Sequence, residues 1–318
     1  MRAPFKFLPV YQSRIWGGNQ FRSLLGRDVP KEIVHCGEAW EIVDRPEAQS
    51  IVESGPFMGL TLNELWSNRR DELFGKNMPD SARFPLLFKI LDCEKDLSIQ
   101  VHPPEEVAKC LGGEAKSELW YVMGAKPKAK VYVGFRDRLT TEQFRDAIEI
   151  GALEEKLNIL HPQPGEAIYL ESGRLHALGA GLMVYEIQQN SDTTYRVFDW
   201  NRKDENGNMR QLHIEESIKS IDFEDVNPSM DPVIDGCVSD GQFFKTIRDK
   251  KRENEVLTIE RDQFSILSIL NGEIKSTDET VFSKGDTVFI PCGIHSLTIS
   301  RDTQYLLTSL KITKNYQL

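Results

Sequence analysis

Apolar and polar residues alternate along most of this chain with a period of two, which predicts many short β-strands. In residues 97–102, LSIQVH, the leucine, isoleucine and valine share one face, and the serine, glutamine and histidine share the other. A second strand begins near Lys116 and places Lys116, Glu118 and Trp120 on one face. Amide, imidazole, ammonium and carboxylate groups on two strand faces predict a polar site.

Three segments have the helical period instead. Residues 61–75 begin with a threonine–glutamate capping box and end at a glycine, which predicts a helix. Residues 140–158 predict a second helix, with Thr141 as its cap and an apolar stripe interrupted at Gly151. A short third helix is predicted over residues 212–220.

An internal repeat indicates two β-barrels of one kind. Residues 165–176, GEAIYLESGRLH, and residues 285–295, GDTVFIPCGIH, each join a glycine, an acidic residue, a strand and a glycine turn that ends on histidine. Between the two copies, residues 227–235 carry two prolines and no periodicity, so we expect the domain boundary there.

The predicted fold is therefore mainly β, with two barrels of which the first is decorated with helices. The first domain is predicted over residues 1–230, with helical insertions at about 61–75 and 140–158. The second is a smaller β domain over residues 236–318.

Composition excludes several classes of function. The chain has 318 residues, 40% of them hydrophobic, and a net charge of −10, which argues against general binding of a nucleic-acid backbone. No apolar run approaches the roughly 20 residues that cross a bilayer. The five cysteines show no CxxC pair and are expected to be reduced thiols of a cytoplasmic protein: Cys36, Cys93, Cys110, Cys237 and Cys292.

Four motifs in order, SIQVHP, KSELWYV, SGRLHALGAG and SDTTYRVFDWNR, resemble the type I mannose-6-phosphate isomerases in their short bacterial form. The N-terminal PVYQSRIWGG is similar to that family too, and the resemblance spans most of residues 1–225. Gly165, Gly173 and His176 also fit the second cupin motif, with Glu171 where proline is usual. The resemblance implies two cupin (jelly-roll) barrels and a metal-dependent interconversion of mannose 6-phosphate and fructose 6-phosphate.

The resemblance also implies a site that holds one zinc ion per chain. The implied metal ligands are Gln100, His102, Glu118 and His176. The implied catalytic residues are Arg196 and Lys116. Independently, two imidazoles, one carboxylate and an amide oxygen suit Zn²⁺, and a single anionic ligand leaves the ion useful as a Lewis acid.

Aldose–ketose isomerisation moves a proton between C1 and C2 through an enediol(ate), so the site needs an electrophile for the oxyanion and a proton carrier. Zinc and Arg196 are candidates for the first role. Lys116, a zinc-bound water or His102 could fill the second, and a lysine beside a cation can have a lowered pKa. Ser98 shares the site face and is a candidate for binding the 6-phosphate.

Simpler interpretations remain open for several residues. Arg196 could be an ordinary ion-pair partner of Asp192 or Asp199, and Glu118 could merely pair with Lys116. Four histidines are expected to be structural, and the last of them is expected to mark a metal-free second barrel: His35, His161, His213 and His295.

Two other functions compete with the isomerase. A non-haem iron oxygenase also uses two histidines and a carboxylate, and a sugar-binding cupin could keep the pocket without turnover. A fused nucleotide-sugar enzyme is disfavoured because no glycine-rich phosphate loop precedes a helix. The expected partner is a small sugar phosphate, with no nucleic acid or membrane, in a monomer or small homo-oligomer.

Overall fold

The computed structural model describes residues 2–203 and 207–312 of the chain. The chain divides into two compact units, which are unit 1 (residues 1–10, 40–89 and 232–318) and unit 2 (residues 11–39 and 90–231). The sheets are mainly antiparallel, so the predicted mainly β class is confirmed.

The described residues form short strands and a few short helices. The strands are β1 (Phe5–Lys6), β2 (Val10–Gly18), β3 (Cys36–Ile42), β4 (Asp44–Arg45), β5 (Ala48–Gln49), β6 (Leu86–Cys93), β7 (Ile99–Val101), β8 (Glu118–Ala125), β9 (Val131–Phe135), β10 (Leu157–Leu160), β11 (Ala167–Leu170), β12 (His176–Leu178), β13 (Leu182–Gln189), β14 (Tyr195–Phe198), β15 (Cys237–Asp240), β16 (Phe244–Lys251), β17 (Val256–Thr258), β18 (Ser265–Lys275), β19 (Val281–Ser283), β20 (Thr287–Ile290) and β21 (Ser296–Leu310). The helices are α1 (Gln20–Ser23), α2 (Leu62–Asn68), α3 (Glu105–Leu111), α4 (Thr141–Glu149) and α5 (Ile214–Ser220), with a π-helical turn at Arg70–Phe74 and a 3₁₀ turn at Leu153–Lys156.

Unit 2 contains two sheets, one in the order β10-β9-β12-β7-β14 and one in the order β11-β8-β13-β6-β2-β3. The chain passes between the units four times, within β2, β3 and β6 and after Asp231. One apolar cluster joins side chains of both sheets, such as Trp120 and Val133. A second cluster joins Ile99 and Val101 of β7 to Phe144 of α4. The apolar face of β7 is therefore packed against helices, as its alternation requires, and its polar face is turned the other way.

Unit 1 contains a larger antiparallel sheet in the order β1-β20-β18-β21-β16-β15, with β17 paired to β21 and β19 paired to β18. Strands β4 and β5 form a separate hairpin. The core of unit 1 includes tightly packed aromatic rings, among them Phe74, Phe264 and Phe289. Because apolar side chains fill this interior, the sheet has a core of its own.

The three predicted helices are present, but α2 and α4 end earlier than predicted, and α5 begins at Ile214 and, as predicted, ends at Ser220. Thr61 and Glu64 form the predicted capping box of α2, which continues as a single π-helical turn before Gly75. Thr140, not Thr141, is the N-cap of α4. The prediction of one helix through residue 158 was wrong, because Gly151 adopts a left-handed φ of 71° and the chain then enters strand β10. Helix α3 was not predicted.

The compact units also differ from the predicted continuous first domain. Residues 2–10 and 40–89 group with residues 232–312, although the sequence placed them with residues 1–230. The five cysteines are all unpaired. Within residues 2–203 and 207–312, every helix is too short or too polar to span a membrane.

Candidate metal centre

Strands of both sheets of unit 2 carry the predicted metal ligands. Gln100 lies in the middle of β7, and His102 follows directly after that strand. His176 begins β12 and is the register partner of Gln100, so their side chains share one face. Glu118 is the first residue of β8, on the other sheet. The fold therefore brings together residues that lie up to 76 positions apart in the chain.

Three of these residues converge on one point. The ligand atoms of His102, Glu118 and His176 all lie within 4.8 Å of one another, and all three side chains are buried. His176 Nε2 lies 3.4 Å from Glu118 Oε1, and His102 Nε2 lies 3.6 Å from Glu118 Oε2. Gln100 Nε2 lies 3.4 Å from His176 Nε2, and a half-turn of the amide presents Oε1 at the same point. All four predicted ligands are thus neighbours.

Backbone carbonyl groups determine which nitrogen of each imidazole carries the proton. His102 Nδ1 lies 2.8 Å from the carbonyl oxygen of Thr193, and His176 Nδ1 lies 2.8 Å from that of Arg174. A carbonyl oxygen only accepts hydrogen bonds, so both Nδ1 atoms donate and both Nε2 atoms present a lone pair. A hydrogen bond from the nitrogen that does not face the metal to a carbonyl oxygen is the usual support of a metal-bound histidine.

Burial reinforces this protonation state. Burial, together with the charge of Lys116, lowers the pKa of His102 to about 4, and burial also lowers the pKa of His176. Burial alone would raise the pKa of Glu118, but Lys116 and His102 outweigh it and hold that pKa well below its usual range. At neutral pH the cluster therefore consists of two neutral imidazoles and one carboxylate.

This arrangement fits a divalent cation. Within the described parts of the chain, neither Oε1 of Glu118 nor Nε2 of His102 accepts a hydrogen bond, although both atoms are buried. Hydrogen-bond acceptors that are buried facing one another destabilise the folded protein unless a positive charge lies between them. Two imidazoles, a carboxylate and the amide oxygen of Gln100 are borderline to hard donors, the set that Zn²⁺ and similar ions bind.

Lys116 lies between two buried carboxylates. Its Nζ is 2.9 Å from Glu118 Oε2 and 4.0 Å from Glu186 Oε1, and Glu186 also accepts a hydrogen bond from Trp120 Nε1 at 3.0 Å. Burial lowers the pKa of Lys116, but Glu118 and Glu186 outweigh it and raise that pKa. In the protein alone this direction is opposite to the expected one, because the carboxylates are the nearest charges. Glu186 was not predicted from the sequence as a neighbour of Lys116, because it is only one of several closely spaced polar residues in its segment.

Arg196 lies beside the ligands on the other side of Gln100, which is its register partner on β7. Its Nη1 donates to the carbonyl oxygen of Gln211 at 2.9 Å, and its buried Nε has no hydrogen-bond partner among the described residues. Asp199 pairs with Arg202 and Arg210 instead. The guanidinium of Arg196 therefore keeps a donor for a ligand.

The remaining predicted residues occupy supporting or separate positions. Ser98 is buried just before β7 and, two residues from Gln100, belongs to the same alternating face. His213 accepts a hydrogen bond from the backbone N–H of Arg196, and His161 bonds to a carbonyl oxygen, as expected of structural histidines. His295 is exposed. The carbonyl group of Thr193, which orients His102, has no signal in the sequence.

Comparison with known proteins shows the family to which this chain belongs. A family model for the catalytic domain of type I phosphomannose isomerase matches residues 5–128. The mannose-6-phosphate isomerase ManA of Bacillus subtilis is 33% identical over 96% of this chain and 99% of its own length. The mannose-6-phosphate isomerase of Streptococcus mutans is 34% identical over 96% of this chain and 98% of its own length. A crystal structure of mannose 6-phosphate isomerase from Bacillus subtilis superposes with a TM-score of 0.86 and 31% identity, covering 97% of this chain and 100% of that one. The chain therefore belongs to the family of type I phosphomannose isomerases, whose cupin-type fold it shares.

Proposed function

We propose that this protein interconverts mannose 6-phosphate and fructose 6-phosphate. The observation that carries the proposal is the convergence of the buried acceptor atoms of His102, Glu118 and His176, with the Lys116 ammonium group 2.9 Å from Glu118. Membership of the isomerase family supports the same reaction. The two competing functions, an iron oxygenase and a non-catalytic sugar-binding protein, have no comparable support.

The proposed cofactor is one Zn²⁺ ion per chain. Gln100, His102, Glu118 and His176 would hold it, through an amide oxygen, two Nε2 atoms and a carboxylate. When bound, the ion supplies Lewis acidity to the oxygen on which negative charge develops during enolisation. Only one of the four proposed ligands is a carboxylate, so the bound ion would keep a net positive charge and therefore a high Lewis acidity.

Lys116 is proposed to carry the proton between C1 and C2 of the sugar; because an ammonium group cannot accept a proton, this role requires a bound metal cation to lower the pKa that the two carboxylates raise in the protein alone. Its Nζ lies 2.9 Å from Oε2 of the ligand Glu118, and Glu118 and Glu186 hold it in place. His102 is poorly suited to this role, because Nδ1 is engaged by the carbonyl oxygen of Thr193 and Nε2 faces the metal cluster. Of the three carriers that the sequence left open, the geometry therefore favours Lys116 over His102.

Arg196 and Ser98 are proposed to contact the substrate. The unpartnered Nε of Arg196 can donate to an anionic oxygen, either the enediolate or the phosphate. Ser98 is buried on the same face and remains the candidate for the phosphate end of the site. A small sugar phosphate is the only partner that the proposal requires.

We also propose a cytoplasmic protein that acts as a monomer or small homo-oligomer, without nucleic acid or membrane as partners. Five unpaired cysteines are consistent with a reducing compartment.

A coupled assay for fructose 6-phosphate, run on mannose 6-phosphate, tests the reaction and the metal together. Activity should disappear after chelator treatment and return when zinc is added. A zinc-loaded protein without activity would contradict the proposed reaction. Activity that survives complete removal of metal, verified by elemental analysis, would contradict the proposed cofactor.

A further inference from the structure

Gln188 is a fully buried glutamine beside the metal-ligand cluster. It lies on β13 directly opposite Glu118 of β8. Opposed residues of antiparallel strands point to the same face, with Cβ atoms about 4.5–5.5 Å apart. The next pair on the same face, Glu186 and Trp120, confirms this geometry, since their side chains meet in a hydrogen bond of 3.0 Å. Gln188 therefore shares the face that carries Glu118.

The orientation of the Gln188 amide follows from its contacts. Its Nε2 donates to the backbone carbonyl oxygens of Gln189, at 2.9 Å, and Ser191, at 2.7 Å. Carbonyl oxygens only accept, so the amide cannot be reversed. The acceptor atom, Oε1, is therefore turned away from these two carbonyls. It is buried and has no hydrogen-bond partner among residues 2–203 and 207–312.

The protein groups of the cluster do not supply a donor to this oxygen. The Nδ1 atoms of His102 and His176 already donate to backbone carbonyls. The ammonium group of Lys116 faces two carboxylates. A buried amide oxygen without a donor destabilises the folded protein, and such a group at a ligand site is usually completed by the ligand.

We propose that Gln188 Oε1 accepts a hydrogen bond from a hydroxyl group of the bound sugar phosphate, which makes Gln188 a further substrate-binding residue. This inference rests on the proposed function, since it needs a sugar in the site. A neutral acceptor locked by two backbone contacts suits a hydroxyl donor, because it adds no charge to a region that already contains the carboxylates of Glu118 and Glu186. A site with such an acceptor discriminates against analogues that lack the donor, because the buried oxygen is then left unpaired.

The test compares three zinc-loaded proteins: wild type, Gln188→Met and Gln189→Met. Gln189 is the matched control, because it is the adjacent buried glutamine but its Oε1 already accepts from the backbone N–H of Ser117 at 2.9 Å. Calorimetry gives apparent dissociation constants for mannose 6-phosphate and for four analogues that each lack the hydroxyl group at C1, C2, C3 or C4. Elemental analysis gives the zinc content of each protein.

Wild type and Gln189→Met should bind one of the four analogues about tenfold more weakly than the parent sugar, the discrimination expected for one neutral hydrogen bond. Gln188→Met should bind the parent about tenfold more weakly and should not discriminate against that analogue. The same discrimination in all three proteins would overturn the proposal. So would loss of zinc from Gln188→Met, or a uniform weakening for every analogue, since both outcomes would assign Oε1 to the metal or its water.

Two further measurements keep the outcome clear. If thermal unfolding shows that Gln188→Met does not fold, Gln188→Asn replaces it, because it keeps the amide and withdraws the oxygen by one methylene group. The coupled assay on wild type tests the reaction separately. Discrimination that depends on Gln188 in a protein without turnover would refute the proposed reaction and leave the binding role intact.

Discussion

Removal of the metal should lower the thermal stability of this protein. In the protein alone, ionised Glu118 lies 3.4 Å from His176 Nε2 and 3.6 Å from His102 Nε2, and burial keeps both imidazoles neutral. Among the described residues, Lys116 is the only cationic side chain that contacts Glu118, and it pairs with Oε2. A bound cation would satisfy Glu118 Oε1 and the Nε2 atoms of His102 and His176 at once.

The size of the effect follows from mass action. A cation that binds only the folded state stabilises it by about 2.7 kcal/mol when its free concentration is about 100 times the dissociation constant. For a unit of about 150–250 residues, each kcal/mol changes Tm by about 2–4 °C. We therefore expect zinc to raise the Tm of chelator-treated protein by about 5–10 °C.

Scanning calorimetry at a buffered free zinc concentration measures this shift. Glu118→Ala should lose it, because the only anionic ligand of the cluster is gone. His161→Ala is the control for zinc bound by any histidine, since His161 lies outside the cluster and bonds to a backbone carbonyl. It should keep the full shift. A wild-type shift under 1 °C at this concentration, or an undiminished shift in Glu118→Ala, would refute the assignment of the cluster as the metal site.

Three further predictions concern residues around and away from the cluster. Arg196→Ala should keep its zinc and lose about 10²–10³-fold in kcat, as expected when one charge-stabilising donor is removed; loss of zinc by elemental analysis would instead make Arg196 structural. Burial raises the pKa of Asp199, but Arg210 and Arg202 outweigh it and lower that pKa, so Asp199 stabilises the fold above its unfolded pKa of about 3.9 and loses this effect as the pH falls through its folded value. Urea unfolding should therefore show a large penalty for Asp199→Asn at pH 7 that shrinks at strongly acid pH, and a penalty independent of pH would contradict this. His295→Ala should leave kcat/KM within about twofold, because single surface substitutions away from a site are close to neutral; a large loss in the coupled assay would indicate a second functional site.

Much of the site could be predicted because strands have a simple period. The alternation in residues 97–102 placed Ile99 and Val101 in the core and Gln100 on the polar face, and the packing of β7 agrees. The capping box at Thr61 likewise needs only residues that are near in sequence. Such features depend on local geometry, so they are readable without the fold.

Long-range contacts decided what the sequence could not show. Residues 157 and 158 end the predicted helical segment, yet they begin β10, because that strand pairs with β9. The grouping of residues 40–89 with residues 232–312 is also a matter of tertiary contacts. A local sequence pattern contains no information about a strand partner elsewhere in the chain, so it cannot show whether such a segment forms a helical turn or a strand.

The sequence by itself determined which donor types reach the site and which strand faces carry them. Only the tertiary structure decided their chemical state. Thr193, 91 residues away from His102, selects its tautomer through a carbonyl oxygen, and Glu186 joins Glu118 around Lys116. Proton positions and pKa values depend on atoms within a few ångströms and on burial, and those neighbours come together only when the two sheets of unit 2 have formed.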